Sequence, residues 1–161
     1  MYINIGKLVN THGIKGEVRI LSDIEYKNEI FKIGNSLYIG KEKIKMTIST
    51  YRVHKNFDMV TFNGINDINE VLKYKGDAIY IKRDEINIDG YFDSELIDFQ
   101  VYTDKSIGKL FAIRKNGTQK LLEIKGKKIY LVPKVEAFIK NIDFENKIIY
   151  INNIEGLIDE N

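Results

Sequence analysis

Four cationic side chains and two glycines near the N-terminus carry the main chemical possibility in this chain. They fall in residues 6–19, GKLVNTHGIKGEVR. His12 could contact a phosphate or a base, or act as a general base. Lys15 and Arg19, with Lys7 upstream, could form a small basic patch directed at phosphates. Gly13 and Gly16 relieve the steric bar on positive φ and allow a tight turn that holds His12 and Lys15 facing solvent. The spacing differs from the GxxxxGK[ST] loop that cradles nucleotide phosphates, and no long helix follows. Acid–base catalysis needs a second group, and no Ser, Asp or second His stands at a partner spacing. The alternatives for His12 are contact with RNA and a ring that ties its own turn together. His54, before Lys55, reads as a solvated strand-end residue.

Tyr91 and Phe92 form a second constellation. Large aromatics beside the acidic Asp93 and Glu95 suit an anchor for a basic protein, because aromatic anchors carry much of the energy at interface centres. Strand alternation turns one ring of such a pair inward. The paired carboxylates Asp84-Glu85 and Asp159-Glu160 read as solubilising.

Composition removes whole classes of function. The 161 residues include no cysteine and two histidines, far apart in sequence. Disulfides, thiol catalysis and Cys-based zinc sites are excluded, and a His-based metal site is not expected. Neither a cofactor nor a metal is expected. The N-terminus lacks a basic region followed by an apolar run, and no apolar stretch approaches the ~20 residues that span a bilayer. A cytoplasmic protein is therefore expected. Residues 1–84 carry 14 Lys and Arg against 10 Asp and Glu, and residues 85–161 carry 11 against 13. A first half at +4 is modest for a partner of naked RNA and fits a protein–RNA particle better. A second half at −2 is expected to repel phosphates.

The elements that must position these residues are short strands. Residues 2–9, 17–22, 36–39, 44–53, 59–62 and 78–82 are β-rich runs separated by turn residues. Residues 44–53 and 59–62 read as a hairpin. One helix is expected over residues 68–73, capped by Asp67, with Ile68, Val71 and Leu72 on one face. Another helical turn fits residues 26–31. Six strands with little helix suggest a closed barrel. Asp89-Gly90 falls in a polar junction, so the domains are placed at 1–84 and 91–161 with a linker at 85–90. In the second half, strands are expected over 99–103, 108–115, 119–124, 129–132 and 147–151. The Asn116-Gly117 turn separates the second from the third. Pro133 must end a strand or sit at an edge. The acidic residues 155–161 are expected to fray.

The turn motif of residues 6–19 resembles the opening signature of the RimM family of ribosome maturation factors. The resemblance continues in order through Val53-His54-Lys55, residues 60–67, Lys75-Gly76 and residues 79–83. Tyr91-Phe92 with Glu95-Leu96-Ile97, then residues 107–110, Leu131-Val132-Pro133 and residues 155–158 complete it. The chain departs from the family pattern in having Asp98 where glycine is usual and Tyr91-Phe92 where two tyrosines are usual. It also lacks an Asn-Asp pair before the strand near Gln119. The resemblance implies an all-β protein of two tandem barrels, a translation-factor-like barrel followed by a PRC-type barrel. It implies a monomeric, non-enzymatic assembly factor that binds the immature small ribosomal subunit. The partners implied are rRNA and a basic ribosomal protein of the subunit head, the latter held by Tyr91 and Phe92. Two alternatives remain open from the residues alone: a general RNA-binding β-barrel module and an RNA-processing enzyme.

Overall fold

The computed structural model describes residues 1–152 and the strand residues 158–159. The residues divide into two compact units, Met1–Gly90 and Tyr91–Asn161. The first contains β1 (Tyr2–His12), β2 (Glu17–Leu21), α1 (Lys27–Ile30), β3 (Ser36–Ile39), β4 (Ile44–His54), β5 (Phe57–Phe62) and β6 (Ala78–Lys82). The six strands close into a barrel in the order β1-β2-β5-β4-β3-β6. Alternation explains the closure. Ile3, Ile5 and Leu8 of β1, Val18 and Ile20 of β2, and Ile79 and Ile81 of β6 are all buried, because successive strand side chains point to opposite faces. The β1–β2 register slips between Leu8 and Asn10, and this bulge resets the phase so that Asn10 and His12 face outward.

A buried carboxylate fixes α1. Asp58 is 1% exposed. It accepts from Lys27 Nζ at 2.7 Å and from the Tyr51 hydroxyl at 2.6 Å. Burial, with the Asp58 carboxylate beside it, pushes the Tyr51 hydroxyl far above its ordinary pKa.

The helix expected over residues 68–73 is instead two successive 3-10 turns, Ile68–Glu70 and Leu72–Tyr74. Asp67 does cap, accepting from Asn69 N at 2.9 Å. Its amides bond three residues back, Val71 N to Ile68 O and Lys75 N to Leu72 O, the tighter winding typical of short connecting pieces. Tighter winding leaves only Val71 of the three apolar residues fully buried, and Leu72 is exposed. Residues 83–85 form another 3-10 turn. Arg83 donates to the carbonyls of Ile86 and Gly90, and Ile86 is buried, so the expected linker is pinned rather than loose.

The second unit begins with a 3-10 turn at Asp93–Leu96. It continues with β7 (Gln100–Tyr102), β8 (Ser106–Asn116), β9 (Gln119–Lys125), β10 (Ile129–Pro133), β11 (Ile139–Asp143), β12 (Ile148–Ile151) and β13 (Ile158–Asp159). The sheet order is β11-β12-β7-β8-β9-β10-β13. All pairs are antiparallel except β12 with β7. Leu96, Phe99, Val101, Leu110, Leu122, Ile124, Val132, Ile149 and Ile151 form the core. Pro133 ends β10 opposite Leu121. The strand β11 is absent from the sequence reading because its polar residues Lys140, Asn141 and Asp143 mask the two isoleucines. Asp98, where glycine was expected from the resemblance, holds φ 72, a left-handed conformation that aspartate tolerates better than most residues. The fraying expected for residues 155–161 lies largely outside the described residues.

Candidate functional site

The turn at residues 13–16 joins β1 to β2, and Gly13 and Gly16 hold φ of 73° and 98°. Gly13 is open. At Gly16 a Cβ would come within 2.9 Å of Ile65 Cγ2 and 3.4 Å of the Asp67 carbonyl oxygen. Ile68 N donates to Ile14 O at 3.0 Å. The turn therefore lies against the loop that starts the 3-10 turns. Its tip leaves Ile14 and Lys15 exposed.

Below the turn, the register assembles one outward face. His12 pairs with Glu17, Arg19 with Met59, and Arg52 with Met59 and His54 with Phe57. Cross-strand partners share a face, so β1, β2, β5 and β4 bring two histidines and two arginines together. Arg19 Nη2 stands 3.1 Å from His12 Nδ1. The His12 and His54 rings are 5.9 Å apart. Arg19 also lies 5.1 Å from the Phe57 ring centre, within cation–π range. Met59 is fully buried between Arg19 and Arg52 in the register, consistent with long cationic side chains covering apolar surface.

Glu17 organises the charges. Arg52 grips it with two hydrogen bonds, Nε to Oε2 at 3.0 Å and Nη2 to Oε1 at 2.8 Å. This bidentate contact holds the Glu17 carboxyl below its usual pKa, with smaller help from His12 and His54. For His54, partial burial followed by the positive charges of its neighbours, Arg52 and Lys55 first, pushes the pKa down. The face is thus a cationic surface with one carboxylate, and its histidine is held back from charging by its neighbours.

Of the residues singled out in the sequence, His12 and Arg19 meet. Lys15 stands at the turn tip. Lys7 does not join them: it pairs with Leu21 and Ala78, five residues back along β1, or roughly 17 Å at strand rise. Arg52 and the contact through His54 were missed. The signal available was the hairpin of β4 and β5, whose parity places Arg52 and His54 on the face of Phe57.

In the second unit, Tyr91 and Phe92 separate. Phe92 is fully buried, so it offers no surface to a partner. The Glu95 carboxylate accepts from Phe92 N at 2.9 Å, fixing the chain entry that turns this ring inward. Tyr91 is half-buried, 5.3 Å from the Phe144 ring and 5.2 Å from Lys134 Nζ. Phe144 is itself exposed and touches Phe99 edge-on. Beside Tyr91, Asp93 is gripped by Lys120 at 2.5 Å and Lys134 at 3.2 Å. Burial works against the Asp93 charge, but the two lysines prevail and hold its pKa below the usual carboxylate range. Among the described residues, no group of three or more His, Cys, Asp or Glu could hold a metal ion, and no helix is long and apolar enough to cross a membrane.

A closed six-stranded barrel followed by a mixed β-sheet, with little helix in either, places this chain among tandem-domain β-proteins. The model of the RimM N-terminal domain matches residues 3–86, and that of the RimM PRC barrel domain matches residues 93–157; the chain belongs to the RimM family. The ribosome maturation factor RimM of Staphylococcus epidermidis is 40% identical over 167 residues, covering 99% of this chain and all of the relative. That of Staphylococcus aureus is 37% identical over the same span. Among solved structures, a 16S ribosomal RNA processing protein RimM of Pseudomonas aeruginosa aligns over 97% of this chain and 99% of its own, with 19% identity and a TM-score of 0.49. The N-terminal domain of RimM from Thermus thermophilus covers 54% of this chain and 95% of its own, with 14% identity and a TM-score of 0.45.

Proposed function

We propose that the protein is a non-enzymatic maturation factor of the small ribosomal subunit, acting in the cytoplasm as a monomer. The observation that carries the reading is the full-length likeness to ribosome maturation factors at 40% identity. The cationic face of His12, Arg19, Arg52 and His54 supports an rRNA contact by the first domain, with Lys15 at the turn tip beside it. Tyr91, flanked by Phe144 and the Asp93 carboxylate, supports a grip on a basic ribosomal protein of the subunit head. The domains are taken as 1–84 and 91–161. Binding both partners favours one conformation of the maturing head, and release follows once that conformation is locked.

The test is sedimentation with subunits from cells depleted of the protein. It should travel with immature small subunits and not with mature ones. Depleted cells should accumulate unprocessed 16S rRNA, and adding the protein with magnesium to purified precursor rRNA should cut nothing. Equal binding to mature and immature subunits would overturn the reading, and cleavage of the naked precursor would replace it with an enzyme.

A further inference from the structure

The charge of the second unit is polarised in a way its total conceals. Residues 105–130 hold eight cations and one carboxylate, Glu123. They form β8, β9, the turn after them and the start of β10. Some of these cations are already engaged. Arg114 Nε is 2.6 Å from Glu123, and Lys120 Nζ is 2.5 Å from Asp93. Lys125 lies 3.9 Å from Glu123 and 3.4 Å from the Phe111 ring centre. Lys105, Lys109, Lys127 and Lys128 make no ion pair among the described residues. Lys109 and Lys125 stand directly opposite each other in the β8–β9 register, an arrangement that costs stability in the absence of an anion.

At this end of the sheet lies a cleft of about 430 Å³, lined by Lys105, Ser106, Lys127, Lys128 and Tyr130 around Gly108 and Gly126. The glycines make it. A Cβ on Gly108 would strike the Lys125 carbonyl oxygen, and one on Gly126 would strike that of Ile107. With neither present, β8 and β9 approach closely and leave bare backbone at the cleft. Among the described residues, no carboxylate lines it. Asp104, next to Lys105 in sequence, feels the charge of that lysine.

We infer that this cleft binds the phosphodiester backbone of single-stranded RNA. Three lysines, Lys105, Lys127 and Lys128, line a concave surface, and among the described residues only Lys105 has a carboxylate acting on it, that of Asp104; this suits phosphates better than a membrane, whose peripheral binders present an amphipathic apolar face. Tyr130, half-buried against the core, supplies a ring at the same cleft, and base stacking on aromatics is the usual complement to a cationic groove. The balance of residues 85–161, two carboxylates in excess, is expected to repel phosphates. The distribution overrides the total because ionic interactions are screened beyond about 10 Å. The inference extends the proposed function by a second RNA contact but is tested apart from it.

The probe is a twelve-nucleotide oligouridylate added to the full chain, read by amide NMR and by titration at several salt concentrations. Amides of residues 105–108 and 126–130 should shift. The variant Lys105→Gln/Lys127→Gln/Lys128→Gln should bind at least tenfold more weakly. Its log–log salt slope should flatten by about 2, from three lost contacts at roughly 0.7 each for single strands. Lys41→Gln/Lys45→Gln/Lys75→Gln, on exposed turns and strands of the first unit, should bind like wild type. Unchanged affinity and slope in the first variant, or shifts confined to the first unit, would overturn the inference. So would lysine-dependent binding to phosphatidylglycerol vesicles without lysine-dependent binding to RNA. Wild-type protein that binds oligouridylate through these lysines but never travels with immature subunits would sustain the cleft and sink the maturation reading.

Discussion

Arg19 donates to Nδ1 of His12 at 3.1 Å, which fixes the imidazole proton on Nε2. Arginine has no acceptor, so this contact exists only with unprotonated Nδ1. His12 is left with one free N–H on the outward face, a donor suited to a phosphate or a base edge. Arg19 itself is a prop: its Nε is buried without a partner, and its guanidinium is held between His12 and Phe57.

Arg19→Ala should therefore destabilise the first barrel. A lost cation–π contact of about 0.5–1 kcal/mol and a lost hydrogen bond of about 1 kcal/mol predict a drop of roughly 1–2 kcal/mol. His12→Ala should cost less stability and still weaken association with immature subunits. Urea denaturation of both variants, with co-sedimentation, separates the roles. A His12→Ala protein that melts early and binds normally would make the histidine structural.

Gly16→Ala should lower stability by about 1–2 kcal/mol from its positive φ alone, and by more if Ile65 cannot yield. Gly13→Ala meets open space and should cost only the backbone term. Thermal melts of the two variants check the order, and equal melting points would remove the packing argument at Gly16.

The first barrel was legible because its strands alternate and its turns carry glycine, so four of six strands could be read to within a residue at each end, with β1 read three residues short and β5 two. The helix over residues 68–73 was misread because apolar spacing of three or four fits a 3-10 turn as well as an α-helix. The cationic face was half legible. His12 and Arg19 lie on adjacent strands joined by a visible turn, whereas Arg52 reaches them only because β5 pairs with β2, a contact between strands far apart in sequence that no local pattern announces. In the second unit, summing charge hid the β8–β9 lysines, because a total says nothing about which strands are neighbours.

Tyr91 and Phe92 should behave differently on mutation. Phe92→Ala removes a fully buried ring and should cost about 3–5 kcal/mol. Tyr91→Ala removes a half-buried ring at the edge of the core, so it should cost less stability than Phe92→Ala, and it should weaken capture of a basic head protein by about 2 kcal/mol if the ring is an anchor. Calorimetry of the full-length variant against purified head proteins tests this. Unchanged affinity in folded Tyr91→Ala would move the search to the strands around residues 108–124.

Asp93 makes stability depend on acid. Its carboxyl is held below its ordinary value of 3.8 in the folded protein. The ion contacts with Lys120 and Lys134 therefore contribute fully above that value, and the contribution is lost as pH falls through the lower folded value. Wild type should lose stability between about pH 5 and pH 2 more steeply than Asp93→Asn. Denaturant midpoints across that range are the measurement, and parallel curves for the two proteins would show that Asp93 is not the source.

The last expectation links protons to RNA. In the free protein, partial burial and neighbouring cations, Arg52 first, hold His54 below its ordinary value of 6.5; Glu17 is the one carboxylate on the face. Because the folded value is depressed, the unfolded chain binds the proton more readily, and His54 protonation lowers stability as pH falls below 6.5. A phosphate on the face reverses the balance by neutralising the cations that keep His54 uncharged. Binding should then take up a proton. Affinity for the immature subunit should rise as pH drops from 7.5 toward 6, by an amount that His54→Gln removes. Binding isotherms at three pH values in buffers of differing ionisation enthalpy give the proton count directly. A wild-type affinity that is flat from pH 7.5 to 6, with no proton uptake, would place the phosphates elsewhere than on this face.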